Sequence, residues 1–393
     1  MIPIEKDAIA MLKITNARAV LDSTVKHTNI YVDGGKIVCL SEADLPADEI
    51  LDAKGRYVAP GFIDTHVHGA GGVEFMGTPE DYRTAASLHL SHGTTTILPT
   101  TMASSYEALC SAIDSYKAVL PEAGKGNLPN MPGMHLEGPY FSLKQAGAQP
   151  PEYIYPPRPA EYRELISRAE GGILKWSFAP ELEGCEEFCD TLVKNGIFPC
   201  IGHTDGTYDD VMRAYAHGAR CMTHFYSSMS SITRRSGFRV AGVLEAGYIL
   251  EDMWVELIAD GCHVPSPLLE MVLKLKDNKR IMAITDAIAE ALLPAGAPPA
   301  KSYHVIEDGV CKMADRTCFA GSICTTDRIV KTLVTVGGRD LPTAVRMITK
   351  NPAEFLGLRG KGSLLAGYDA DLVFFGEDIA VDTVMVGGRV VKF

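Results

Sequence analysis

The chain lacks an apolar run of the roughly 20 residues needed to cross a bilayer. It also lacks any C-x-x-C pair. Its ten cysteines sit singly, from Cys39 to Cys324, so a cysteine-built zinc site is excluded. A disulfide scaffold would concentrate its cysteines in a much shorter chain. Several of these cysteines lie in apolar stretches and read as small buried hydrophobes. Positive charge is scarce: 37 Lys and Arg against 49 Asp and Glu give a net charge of −12. Nucleic-acid binding calls for basic patches and is not expected. An anionic small molecule is still allowed, because a few arginines can make one pocket positive. No secretory signal is legible at the start: Glu5, Lys6 and Asp7 come early, and Lys13 interrupts the apolar stretch that follows. A soluble protein of the reducing cytoplasm, with no membrane partner, is the expectation.

The chain has 393 residues, 46% hydrophobic and 22% charged, ordinary values for a soluble enzyme. That length suits one large domain with a smaller one attached. Both ends are β-rich. "MLKITNARAVL", "TNIYVDGGKIVCL" and "ILDAKGRYVAP" open the chain, and "DADLVFFGEDIAVDTVMVGGRVVKF" closes it. "DGGK" and the late "VGGR" are matching hairpin signals. The economical reading pairs the termini, residues 1–58 with 363–393, into one small β-sandwich domain.

The middle, residues 59–362, alternates strand and helix. Candidate strands fall at 60–66, 94–100, 131–137, 173–179, 197–203, 219–224, 254–260 and 280–286. Helical patterns such as "SSYEALCSAIDSYKAVL" separate most of them. Eight such strands predict an α/β fold of the (β/α)8 TIM-barrel type, with chemistry at the C-terminal strand ends. The stretch 142–160 is Pro-rich without an apolar period, and 288–303 is similar. Both predict loops over the barrel mouth.

Ligand-type residues gather at those strand ends. "PGFIDTHVHGAGG" carries His66 and His68. Residues two apart on a strand face one side, so both can reach one ion. "HLEGPY" ends a strand on Glu137; alone, such an acid is more often a cap or an ion-pair partner. His135, two residues earlier, reads as core packing or as a site neighbour. "CIGHTDGT" and "CMTHFY" end strands on His203 and His224. With Glu137 they make three protein ligands and leave a position open, as catalytic zinc requires. "IMAITDAI" ends on Asp286, either a cap for the next helix or an acid free to move protons. Imidazoles, a carboxylate and a spare acid at one rim point to metal-assisted hydrolysis rather than metal storage.

Lesser signals surround this set. His263 in "LIADGCHVP" is a turn residue or a substrate contact. "SSITRRSGFR" clusters Arg234, Arg235 and Arg239; such runs are mostly solvated, but arginine forks suit phosphate. The Gly-Ser turn of "FAGSICT" at Ser322 either offers backbone N–H groups to an anion or merely starts a helix.

Taken together these segments resemble the amidohydrolase superfamily and, within it, the N-acetylglucosamine-6-phosphate deacetylases. The likeness runs over essentially the whole chain and includes "PGFIDTHVHG", "HLEGPY", "GHTDGTYDD", "THFYSSMS", "IADGCHV", "ITDAI", "FAGS" and "NPAEFLGL". It implies that Glu137, His203 and His224 hold a main divalent ion and that His66 and His68 hold a second. Zinc and iron both accept such ligands. The likeness also casts Asp286 as proton shuttle and His263 as a contact to the sugar and the developing oxyanion. It implies phosphate contacts from Arg235, across a homodimer interface, and from the backbone at Ser227 and Ser228. Two departures stand out. The chain has Ser227-Ser228 where the family usually shows Asn-Ala, and Gln149, a further substrate-contact candidate, where it often shows His.

The implied substrate is N-acetylglucosamine 6-phosphate, cleaved to acetate and glucosamine 6-phosphate. Alternatives are the galactosamine epimer, or an amidohydrolase of N-acyl amino acids. Many of the latter bridge two ions with a carboxylated lysine, for which Lys175 is the residue to consider.

Overall fold

The structure, a computed structural model, describes residues 11–393. The eight strands expected in the middle all form: Phe62–Val67, Thr94–Pro99, Met134–Glu137, Ile173–Phe178, Phe198–Ile201, Cys221–Met222, Trp254–Ile258 and Ile281–Ile284. The last six pair in parallel in chain order, and the first two pair with each other. Bridges Thr96↔Asn130 and Thr100↔His135 join the second strand to the third, and Val67↔Ala287 joins the eighth back to the first. The ring is a closed (β/α)8 barrel. Every residue of the first two strands is buried, as parallel strands covered on both faces must be. The helices start where local chemistry favours it. Thr78 and Asp81 form a reciprocal capping box on Pro79–Ser91, and Thr207 and Asp210 do the same for Tyr208–Ala216.

The two ends of the chain meet in one eight-stranded sheet. Leu372–Phe375 runs antiparallel to Tyr57–Pro60, which runs parallel to Leu12–Val20. This sheet keeps its own core, including Ile14, Ile30, Val58, Leu372 and Phe374. Both Gly-Gly hairpin turns form, and they touch. A Cβ on Gly35 would lie 2.9 Å from the Gly387 carbonyl oxygen, so the close approach of the two turns depends on glycine. Residues 1–10 of the terminal segment lie outside the described residues.

Two small elements were not expected. One is a hairpin of Thr233–Arg235 and Phe238–Val240. The other is a three-stranded sheet of His304–Glu307, Val310–Met313 and Phe319–Gly321. A buried pair, His304 Nδ1 to Glu290 Oε1 at 2.6 Å, ties that sheet to the segment after the eighth barrel strand. The stretch 142–160 stays a loop broken by short 3-10 turns at Leu143–Gln145 and Pro151–Tyr153, leading into the helix Pro159–Ala169.

Inside the barrel, Lys175 and Glu256 are fully buried and paired with each other. Lys175 also donates to the Thr65 carbonyl at 3.2 Å, and the Thr65 hydroxyl donates to Glu256 at 2.9 Å. Burial lowers the Lys175 ammonium, but the Glu256 charge outweighs it and holds it above the usual lysine range. Burial likewise raises the Glu256 carboxyl, while Lys175 and His66 hold it at about 2. Removing one partner leaves the other charged and unpaired, at a cost of about 3–5 kcal/mol. Lys175→Met is therefore expected to lose stability of that order in urea unfolding. A loss under about 1 kcal/mol would mean that the pair is not buried as described.

Candidate metal centre

Three of the site residues end their strands in the left-handed region: His203 (φ 48°), His224 (φ 33°) and Asp286 (φ 49°). Non-glycine residues avoid this region, and such strain gathers where a side chain must be aimed. Here the chain turns sharply off each strand, and the side chains point across the barrel mouth. Backbone bonds hold the turns. Asp286 N–H donates to the His66 carbonyl at 2.9 Å, and Phe225 N–H donates to the Glu256 carbonyl at 2.7 Å.

Two groups of ligand-type side chains result: His66, His68 and Asp286; and Glu137, His203 and His224. In the first, the Nε2 atoms of His66 and His68 face each other at 3.2 Å. Asp286 Oδ1 lies 3.4 Å from one and 3.2 Å from the other. In the second, His203 and His224 face each other through Nε2 at 3.1 Å. Glu137 stands between the groups. Its Oε1 is 2.9 Å from His224 and 3.3 Å from both His203 and His66, and its Oε2 is 3.3 Å from His68. Asp286, expected only to move protons, is thus also within reach of the first group.

The tautomers are set from behind. His203 donates Nδ1–H to the Gln145 carbonyl at 2.8 Å, which leaves a lone pair on Nε2. His66 turns Nδ1 to the ionised Glu256 at 3.3 Å. Facing lone pairs repel unless positive charge sits between them. The carboxylates make the same demand. Burial lowers the His66 imidazolium, but the charges of Asp286 and Glu137 outweigh it and raise it to about 10. His68 is lowered by burial and raised by the same two acids, to about 9. Burial would raise the Glu137 carboxyl, yet the histidines hold it well below the usual range. Imidazole nitrogens and carboxylate oxygens converging on a charge-hungry point fit a divalent transition metal. Partners behind the ligands orient them, as metal sites require.

The cavity above this cluster is lined by His68, Glu137, His203, His224, His263 and Asp286, with apolar walls from Met102, Ile288 and Phe319. Ser227, Ser228 and Gln149 line it too. His263 is fixed by Asp260, which accepts its Nδ1–H at 2.7 Å and the backbone N–H groups of Cys262 and His263 at 2.8 Å. Burial raises the Asp260 carboxyl, but His263 and these N–H groups hold it below the usual range. The His263 ring rests against Phe319, with centroids 4.8 Å apart.

Other expectations fare differently. Ser322 is buried, and its N–H already donates to the Asp286 carbonyl at 3.1 Å. That N–H is committed to the strand-end ladder. Arg235 lies on the exposed Thr233–Arg235 strand and does not line the cavity of its own chain. His135 packs beneath the site, against the His66 ring at 4.5 Å and bonded to Ser177 Oγ at 2.7 Å. Lys175 is engaged by Glu256, so no neutral amine is offered for carboxylation. Supporting residues that sequence reading missed include Asp260, Glu256 and Asp64. Asp64 accepts from Thr285 at 2.5 Å and so ties the first strand to the eighth. Burial raises its carboxyl, against hydrogen bonds from Thr285 and His66, to about 6. Only "IADGCH", with an acid three residues before a histidine, carried a local hint of any of them.

A family model described as "Amidohydrolase family" matches residues 57–391. The chain belongs to the amidohydrolase family. It is 29% identical over 374 residues, 93% of each chain, to the N-acetylglucosamine-6-phosphate deacetylase of Lysinibacillus sphaericus. It is 30% identical over 378 residues, 93% of this chain and 91% of the other, to the N-acetylgalactosamine-6-phosphate deacetylase of Shewanella sp. (strain ANA-3). Among solved structures, a mutant of the N-acetyl-D-glucosamine-6-phosphate deacetylase of Mycobacterium smegmatis, in complex with N-acetyl-D-glucosamine-6-phosphate, superposes with a TM-score of 0.88. It is 29% identical and covers 98% of this chain and 100% of that one.

Proposed function

We propose that the chain removes the acetyl group from N-acetylglucosamine 6-phosphate, giving glucosamine 6-phosphate and acetate. One observation carries this reading. Asp286 lines a cavity together with His68, Glu137, His203 and His224, with His66 buried beside them, in a chain that matches deacetylases of phosphorylated N-acetyl amino sugars along nearly its full length. Those five residues would hold one or two divalent ions, zinc or iron. When bound, the metal polarises the amide carbonyl and activates water.

The protein's own groups do the rest. Burial raises the Asp286 carboxyl, but His66 and His68 outweigh it and hold it at about 2. It accepts a proton from the attacking water as the new C–O bond forms at the carbonyl carbon. It then gives that proton to the nitrogen as the C–N bond breaks. His263, whose Nδ1–H is committed to Asp260, leaves Nε2 to contact the substrate sugar. Ser227 and Ser228 meet the phosphate end of the substrate.

Arg235 is exposed on its hairpin, beside Phe238 at 78% exposed and Ile232 at 61%. Such a strand tip suits contact with a second copy, so a homodimer is the assembly proposed, with the partner's Arg235 on the phosphate. Residues 1–58 with 363–393 are taken as the small β-domain and 59–362 as the catalytic barrel. Among the described residues no helix is long and apolar enough to cross a membrane. All ten cysteines are free, which supports a reducing, cytoplasmic setting.

The direct test is acetate release by metal-reconstituted protein from N-acetylglucosamine and N-acetylgalactosamine, each with and without 6-phosphate. The glucosamine 6-phosphate substrate is expected to lead. Its advantage in kcat/KM over the unphosphorylated sugar should be at least about tenfold, the worth of one charged hydrogen bond. Release from N-acyl amino acids alone would sink the reading. Asp286→Asn should keep its metal and its melting temperature yet lose about 10²–10⁴-fold in kcat; near-normal turnover would rule out this proton route. Arg235→Ala should lose about tenfold or more in kcat/KM on the phosphorylated sugar only. Mixing it with Asp286→Asn protein should restore activity, because a mixed dimer holds one intact site. Failure to restore would place Arg235 outside a shared site.

A further inference from the structure

Gln149 has both ends of its carboxamide fixed. The Ala103 N–H donates to one terminal atom at 2.8 Å, so that atom is the oxygen. The other is therefore the amino group, and it lies 2.6 Å from Glu137 Oε2. The orientation of an amide is often ambiguous; here the partners decide it. Gln149 is 5% exposed and Glu137 2%, so water competes little for this bond.

The bond falls on the one side chain shared by both halves of the cluster. Glu137 directs Oε1 at His203, His224 and His66 and Oε2 at His68. The last torsion of a glutamate is broad and roughly two-fold, so it does not by itself fix the carboxylate plane. The Gln149 amino group fixes it through Oε2. It occupies one acceptor direction of Oε2 and leaves another toward His68. The backbone N–H of Ala103, just beyond the second barrel strand, anchors the amide in turn.

We propose that Gln149 is a positioning residue for the metal centre: it sets the plane of the Glu137 carboxylate so that Oε1 faces His203, His224 and His66 while Oε2 faces His68. This rests on the metal reading of the site given above. It assigns to Gln149 a role separate from any contact with substrate. Outer partners of ligating groups typically govern metal affinity by about 10–100-fold.

Gln149→Met keeps the length of the side chain and removes the donor. Gln149→Asn keeps the amide but is too short to span from Ala103 to Glu137. Each is compared with wild type by calorimetric titration of metal-free protein with zinc, by bound-metal content, and by melting with and without zinc. Both variants should bind zinc about 10–100-fold more weakly. Their metal-free melting temperatures should stay near wild type, and the rise in melting temperature on adding zinc should shrink. Equal affinity and equal metal content in all three proteins would overturn the proposal. So would equal losses of melting temperature with and without zinc, because that is a packing role alone. A wild-type protein that takes up no zinc would overturn the metal reading and this inference with it. The wild-type titration tells the two failures apart.

Discussion

Everything at the barrel mouth depends on burying the Glu137 carboxylate among imidazoles. A buried carboxylate is costly unless positive charge and hydrogen bonds meet it. Glu137 is met on one side by His203 and His224, on another by His66 and His68, and from outside by the Gln149 amide. With Asp286 beside them, these groups concentrate negative charge and lone pairs at one point. Cationic charge held at that point would offset both, which is why the cluster fits a metal ion.

The barrel makes this arrangement possible. Its strands bring ligands from distant stretches of chain to one rim, and the left-handed turns at His203, His224 and Asp286 aim them inward. Below the rim, the Lys175–Glu256 pair carries the field down into the barrel, since Glu256 also faces His66 Nδ1. Site and core are therefore one electrostatic unit, and the ligand geometry is tied to the stability of the barrel interior. The terminal sheet has a core of its own, built from both ends of the chain, and also packs onto the barrel core through Val373, Phe375 and Val384.

Substrate recognition is assembled differently from the chemistry. The clustered histidines, Glu137 and Asp286 come from the strand ends. The groups facing the rest of the cavity come from loops and from the late three-stranded sheet, whose Phe319 backs His263. The exposed Arg235 hairpin belongs to neither set within one chain. Relatives of similar identity are deacetylases of N-acetylglucosamine 6-phosphate and of N-acetylgalactosamine 6-phosphate.

Much of this was legible in the residues alone. The apolar runs fixed the eight barrel strands because a strand buried on both faces must be apolar along its length. The matching Gly-Gly turns disclosed that the two ends pair. The strand-end histidines, Glu137 and Asp286 declared themselves because metal ligation admits few residue types. What stayed hidden depends on contacts between residues far apart in the chain. Nothing local in "GAQ" tells that Gln149 would bond Glu137, or in "ILKWSF" that Lys175 would meet Glu256. The hairpin strands around Arg235 and after His304 are short and polar, so they carry little apolar period to read. Ser322 looked open to an anion because its N–H partner, the Asp286 carbonyl, is 36 positions away. Sequence by itself determined the fold class and marked the residues that gather at the barrel mouth, since both are written in local pattern. Tertiary structure alone decided which oxygen faces which histidine and which charges offset each other, because those are matters of distance in space.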